Sequence, residues 1–142
     1  MSKFFDQSDA IAAALAAVPL LAGSRIVVDR QHDIVSELRK VIGKQVGNLI
    51  IVAWAGGKNL DESADGPQIE STFTVTTFSK PVIRAGEATA DDIAEAIANT
   101  LHDWRASPDA HYRTRLVCTG ISPQDLPEIL AIQIQFKTIS NL

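Results

Sequence analysis

A strongly amphipathic segment between residues 87 and 104, EATADDIAEAIANTLHDW, is the feature that most constrains the fold. Its apolar residues recur at intervals of three and four, which places them on one side of a helix. These residues are Ile93, Ala94, Ile97, Ala98, Leu101 and Trp104. Thr89 stands at the N-cap position with Asp92 three residues later, so the pattern predicts the start of the helix there. A helix with such an apolar stripe must pack on another layer, and strand-like segments flank it on both sides.

The chain before this segment contains the patterns of two further helices. Apolar residues at helical spacing predict a helix from Gln7 to Val18, capped by Asp6 or Ser8 and stopped by Pro19. A shorter segment, Asp33–Ile42, has the same spacing, which predicts a short extra helix, with an irregular excursion as the alternative.

Five segments have the β-branched or alternating apolar residues that are typical of strands. They are Ser24–Asp29, Leu49–Trp54, Ile69–Ser79, Tyr112–Ile121 and Ile129–Ile139. The second is apolar on both faces, which indicates a strand covered on both sides, and we expect Gly56 and Gly57 to end it. A long polar loop is expected from Lys58 to Gln68, and the segment SPQDLP at 122–127 predicts a break between the last two strands.

This order of elements predicts an α+β fold, a mostly antiparallel β-sheet with two main helices packed on one face, plus the short extra helix. The 142 residues have the size of one domain, residues 1–142. The formal net charge is −4 and the basic residues are scattered, which argues against a surface that binds nucleic acid. One cysteine excludes an internal disulfide, and no apolar run approaches the roughly 20 residues of a membrane span. We therefore expect a cytoplasmic protein without a signal peptide or a membrane partner.

The reactive side chains do not form the patterns of catalysis or metal binding. The histidines lack the spacing of metal ligands, both among themselves and relative to Cys118. They are His32, His102 and His111. The pair His102-Asp103 lies near Ser107, but no strand–turn–helix elbow presents that serine as a nucleophile.

Two loop segments resemble parts of ligand-binding motifs, one for calcium and one for phosphate, but neither contains the whole motif. The acidic residues 61–65 lack the ligand spacing of an EF-hand, and Gly56-Gly57-Lys58 is only a fragment of a phosphate-binding loop. The sequence thus predicts no catalytic residue, no cofactor and no metal, which is the pattern of a protein that is not an enzyme. Thr72, Thr74 and Thr76 are expected on one polar face of a strand, which can line a wet interface or a channel, or face solvent.

The order of elements resembles that of the tail terminator and tail completion proteins of long-tailed phages, lambda-like ones included. The resemblance rests on the N-terminal helix, the strands LIIVAWA and ESTFTVTTFSKP, the helix ATADDIAEAIANTLHDW and the final strand ILAIQIQFKTI. It covers nearly the whole chain and is one of pattern, without an invariant motif. The segment Asp33–Ile42 is an insertion relative to that pattern.

The resemblance implies a structural virion protein that forms a ring, usually hexameric, at the end of the tail tube. There it would stop tube growth and join the tail to the head-completion or connector proteins. The implied partners are other copies of the chain, the tail tube protein and a head-completion protein. DNA would pass through the lumen without specific binding, because an acidic protein repels the phosphate backbone. The implied location is the tail–head junction of the virion, after assembly in the host cytoplasm.

Six polar or charged residues are the candidates for contacts with another subunit or partner. They are Lys58, Asn59, Asp61, Glu62, Asp65 and Arg84. Two alternatives remain open. The first is another neck or tail-tube component, and the second is a small-ligand-binding or enzymatic α+β domain with its site under the loop.

Overall fold

A five-stranded sheet organises the computed structural model, which describes residues 3–29, 48–60, 68–79, 89–105, 115–126 and 129–141. The strands are β1 Arg25–Val28, β2 Asn48–Asn59, β3 Gln68–Ser79, β4 Val117–Leu126 and β5 Ile129–Asn141. They lie in the order β1-β2-β3-β5-β4. The β1–β2 pair is parallel and the other three pairs are antiparallel, which confirms the predicted mostly antiparallel sheet.

Two α-helices within these ranges pack on the same face of the sheet. They are α1, Lys3–Ala16, and α2, Ala90–Leu101, and a 3₁₀ turn at Pro19–Leu21 follows α1. Helix α1 lies against β1 and β2, and helix α2 lies against β3 and β5. Phe73 and Phe136 face each other directly across β3 and β5 and are fully buried between the sheet and the helices. The predicted α+β class is therefore confirmed, whereas the short extra helix at Asp33–Ile42 falls outside the described residues.

A second, smaller apolar cluster occupies the opposite face of the sheet. Its buried members are Leu49, Ile51, Phe78, Ile129 and Ala131, with Val27 packed against them. Leu49 and Ile51 alternate along β2 with Ile50 and Val52, which belong to the helix-side core. The prediction that this segment is covered on both faces is confirmed, because all four side chains are at most 5% exposed.

Helix α2 begins with the capping interaction that its sequence predicts. The backbone N–H of Asp92 donates to Oγ1 of Thr89 at 3.2 Å, and the backbone N–H of Thr89 donates to Oδ2 of Asp92 at 3.3 Å. Asp91 and Asp92 also place negative charge in the first turn, where the helix dipole favours it. After the C-terminal end of α2, Asp103 has a φ of 63°. Its N–H donates to the carbonyl oxygen of Leu116 at 2.7 Å, which links the end of the helix to the residue before β4.

The predicted start of α1 and the predicted end of β2 are both wrong. Helix α1 begins at Lys3, so Asp6 and Ser8 lie inside it and do not cap it. Strand β2 does not stop at its glycines, because a β-bulge between Trp54 and Gly56 lets pairing with β3 continue to Asn59. Gly56 takes a φ of 119°, which only glycine adopts without strain.

The predicted break at residues 122–127 is also wrong for most of its length. Strand β4 runs to Leu126, and after a β-bulge between Cys118 and Gly120 it pairs with β5 from Gly120 to Leu126. Pro123 is tolerated because β4 lies at the edge of the sheet, where its missing N–H need not complete a ladder. The turn-forming residues therefore form an edge strand, since the pairing partner β5 outweighs their local preference.

Candidate functional site

Two of the six candidate contact residues lie at the end of the β2–β3 hairpin. Lys58 and Asn59 are exposed and belong to β2, while Gln68 already belongs to β3. The N–H of Leu60 donates to the carbonyl oxygen of Gln68 at 2.8 Å, which extends the hairpin by one more bond. The long loop predicted from Lys58 to Gln68 is thus shorter than expected. The remaining candidates fall outside the described residues, and they are Asp61, Glu62, Asp65 and Arg84.

A shallow depression of about 320 Å³ lies beside Lys58 on the face of the sheet opposite the helices. Its lining includes Glu70 of β3 and Lys137 of β5. Nζ of Lys137 is 3.6 Å from Oε1 of Glu70, and both side chains are partly exposed. Two ammonium groups and one carboxylate can form ion pairs with charged side chains of another protein, whereas this set contains no nucleophile or metal-ligand cluster. Sequence reasoning missed Glu70 and Lys137, because only the β3–β5 register brings them together.

The threonines of β3 form a polar face, as predicted. Thr72, Thr74 and Thr76 are half-buried, and they point away from the helices because the alternate residues of β3 enter the helix-side core. Their direct cross-strand partners on β5 are Lys137, Gln135 and Gln133. The surface is therefore rich in hydroxyl and amide groups, and carries no carboxylate along these three pairs.

The residues that suggest catalysis instead connect α2 to β4. The backbone N–H of Cys118 donates to Nδ1 of His102 at 3.1 Å. Asp103 pairs with Arg115, whose guanidinium lies 3.3 Å from the Asp103 carboxylate. Ser107 falls outside the described residues. These contacts hold the residues after the helix against the start of the edge strand.

The described part of the chain contains no group of three His, Cys, Asp or Glu side chains placed to hold a metal ion. None of the described helices is long and apolar enough to cross a membrane. Glu95 and Asn99 are exposed on the outer side of α2, whereas Asp103 lies beyond the helix and pairs with Arg115.

Comparison with known proteins gives a likeness of fold. No family model matches the chain, and no curated protein matches it. Among solved structures, a chain of the virion of a native gene transfer agent (GTA) particle superposes with a TM-score of 0.62. The two sequences are 18% identical, and the match covers 95% of this chain and 94% of that chain. The two chains therefore share a fold over nearly their full lengths.

Proposed function

We propose that the protein is a structural subunit of a phage-like virion and that it forms a ring at the end of the tail tube. The observation that carries the proposal is the likeness of fold, over nearly the full length of both chains, to a chain of a GTA virion. The resemblance of the element order to tail terminator and tail completion proteins supports the finer role. In that role the ring ends tube growth and joins the tail to the head-completion proteins.

The distribution of polar groups suits a protein that assembles with other proteins and performs no chemistry. The polar side chains on the open face are hydroxyls and amides, together with the amines of Lys58 and Lys137 and the carboxylate of Glu70. The described residues contain no group placed to hold a metal ion. A surface with few charges of mixed sign holds a phosphate backbone only weakly, because affinity for DNA depends mainly on clustered Lys and Arg. DNA passing through the ring would therefore meet weak contacts only.

The end of the β2–β3 hairpin is the surface that we assign to the tail tube or the head-completion partner. Lys58 and Asn59 are exposed there, and the Glu70–Lys137 pair lies next to them. Exposed charges at the rim of an interface mainly set specificity and the rate of association. Asp61, Glu62, Asp65 and Arg84 remain further candidates for contacts with another subunit or partner.

The test is to purify the protein, measure its mass by light scattering after size exclusion, and image it with isolated tail tubes. We expect a closed ring whose mass is an integer multiple of 15.3 kDa, bound at one end of each tube and blocking further tube growth. Long tubes formed by the protein alone would identify a tube component instead. A strict monomer that leaves tube ends free would contradict the proposal.

Charge-reversal variants test the assigned surface separately. We expect Lys58→Glu to weaken capping of the tubes while the ring mass stays unchanged. Arg105→Glu is the matched control, because it reverses another exposed cation, which lies beyond the end of α2. Equal capping by the Lys58 variant and the wild type would show that the hairpin end does not contact the tube.

A further inference from the structure

We propose that the edge strand β4 pairs with strand β1 of a second copy of this chain, so that the sheet continues from one subunit to the next. The inference rests on the proposed ring, and it specifies which surfaces join the subunits. Strands β4 and β1 are the two ends of the described sheet. A head-to-tail contact between two different surfaces is the kind that closes into a ring.

Strand β4 is a long edge whose protection against pairing consists of a β-bulge between Cys118 and Gly120, Pro123 and Asp125. It is ten residues long, and residues 119–125 are all exposed. An edge strand presents unpaired N–H and C=O groups, which native proteins usually shield with charged residues, proline or a covering segment. The first six residues of β4, Val117–Ser122, contain no charged residue and no proline. Such an edge is suited to receive another strand.

Apolar side chains on β4 are exposed at this edge. Val117 is 48% exposed and Ile121 is 53% exposed. Ile121 lies on the helix side of the sheet, because its direct partner Ile134 belongs to the helix-side core, while Val117 lies on the opposite face with Lys137. A strand added here would cover both side chains, which removes apolar surface from water.

Strand β1 provides a complementary edge at the other end of the sheet. Ile26 and Val28 pack on the helix side and Val27 on the opposite side, so β1 offers an apolar residue to each face of a joined sheet. Because β1 is parallel to β2, and the three remaining pairs are antiparallel, β4 runs opposite to β1. A neighbour rotated about an axis along the strands would therefore place its β1 antiparallel to β4.

The charges at the strand ends favour this antiparallel direction. Strand β1 starts at Arg25 and is followed by Asp29. Strand β4 is preceded by Arg115, which also pairs with Asp103, and contains Asp125 near its end. Antiparallel pairing directs the cationic start of β1 towards the acidic end of β4. Complementary charges of this kind fix the orientation of an interface more than they add affinity. Two β4 strands related by a two-fold axis would also be antiparallel, and the experiment separates that closed dimer from a ring.

Disulfide cross-linking tests the pairing in a Cys118→Ser background, which has no other cysteine. Two double variants place cysteines on the helix side of both edges, Ile121→Cys with Ile26→Cys and Ile121→Cys with Val28→Cys. After oxidation, with and without tail tubes, we expect at least one of them to give a ladder of covalent multimers up to the closed ring. Ile121→Cys alone should remain uncross-linked. A dimer from that single variant would show β4–β4 pairing and overturn the inference.

A second pair of variants tests the edge without cross-linking. Ile121→Lys adds a charge to the edge, and we expect the ring to dissociate to the 15.3 kDa monomer. Leu60→Lys is the matched control, because it adds the same charge at a leucine that is 44% exposed on the β2–β3 hairpin, and its ring should persist. Circular dichroism tests whether both variants are folded. If Ile121→Lys is unfolded, the cross-linking result alone decides whether β4 pairs with β1.

The outcomes distinguish this inference from the proposed function. If the wild type forms rings on tubes, either of two results would refute the β4–β1 contact alone. One is the absence of a cross-linked ladder, and the other is an equal ring mass for Ile121→Lys and the wild type. A wild type that is monomeric with and without tubes would refute the ring itself, and the contact with it.

Discussion

Replacing Thr89 with alanine tests whether the capping box sets the start of α2. The substitution removes the Oγ1 atom that accepts the N–H of Asp92 at 3.2 Å, and leaves the reciprocal bond from the Thr89 N–H to Asp92 in place. Loss of a threonine N-cap costs about 1 kcal/mol, with a range of roughly 0.5–2 kcal/mol. Because the surviving bond and the acidic first turn still favour the helix, we expect a loss of about 1 kcal/mol in the free energy of unfolding.

The assay is urea unfolding followed by far-ultraviolet circular dichroism. With a denaturant slope of about 2 kcal/mol/M, the expected loss lowers the unfolding midpoint by about 0.5 M. Ring formation would add stability that depends on protein concentration, so the measurement is made at two concentrations low enough to give the same midpoint. The slope should be unchanged, because the cap does not alter the surface that unfolding exposes.

Matched substitutions at the same position isolate the hydrogen bond. Thr89→Ser keeps the hydroxyl and should remain close to the wild type, and Thr89→Gly should lose only a few tenths of a kcal/mol. A double-mutant cycle with Asp92→Ala should give a coupling energy of at least about 0.5 kcal/mol, because the two residues share one network. Equal stability of the alanine variant and the wild type, or an equal loss in the serine variant, would refute the reasoning.

Three further substitutions examine the core, the bulged strand and the ion pair by the same unfolding assay. Ile97→Ala removes a fully buried side chain of α2 and should cost about 2–5 kcal/mol, so a loss below about 1 kcal/mol would contradict the packing. Gly57→Ala would place its Cβ against Cγ2 of Ile69 and should cost about 1–3 kcal/mol. Ile69→Ala removes that methyl group, so the double variant should lose less stability than the sum of the two single losses. Lys137→Ala breaks a partly exposed ion pair with Glu70 and should change the free energy of unfolding by less than about 1 kcal/mol. A larger loss would contradict this expectation.

The elements that the sequence predicts well are those whose signal is local. Helix α2 has its stripe, its cap and its acidic first turn within one segment, and the structure confirms all three. Strand β5 begins at Ile129 as its alternation predicts, and continues two residues further than Ile139. Local periodicity is sufficient in these cases because packing and propensity favour the same conformation.

The errors occur where a partner strand outweighs the local preference. Gly56 and the turn-forming residues at 122–126 have the composition of breaks, yet both segments are strands because β3 and β5 pair with them. The candidate surface shows the same limit. Lys58 was accessible to sequence reasoning as a polar residue after an apolar strand, whereas Glu70 and Lys137 meet only through a register that no local pattern contains.

The β-bulge in β2 determines which side of the molecule its last residues occupy. Before the bulge Trp54 pairs with Phe73, and after it Gly56 pairs with Thr72, so one residue is inserted between them. If β2 kept this residue and paired with β3 without a bulge, Ala55 would pair with Thr72 and Lys58 would lie opposite Ile69, on the side of the helices. The single extra residue therefore determines the face of every later residue of this strand. An alignment without a gap to a relative that lacks the bulge would assign those residues to the wrong face.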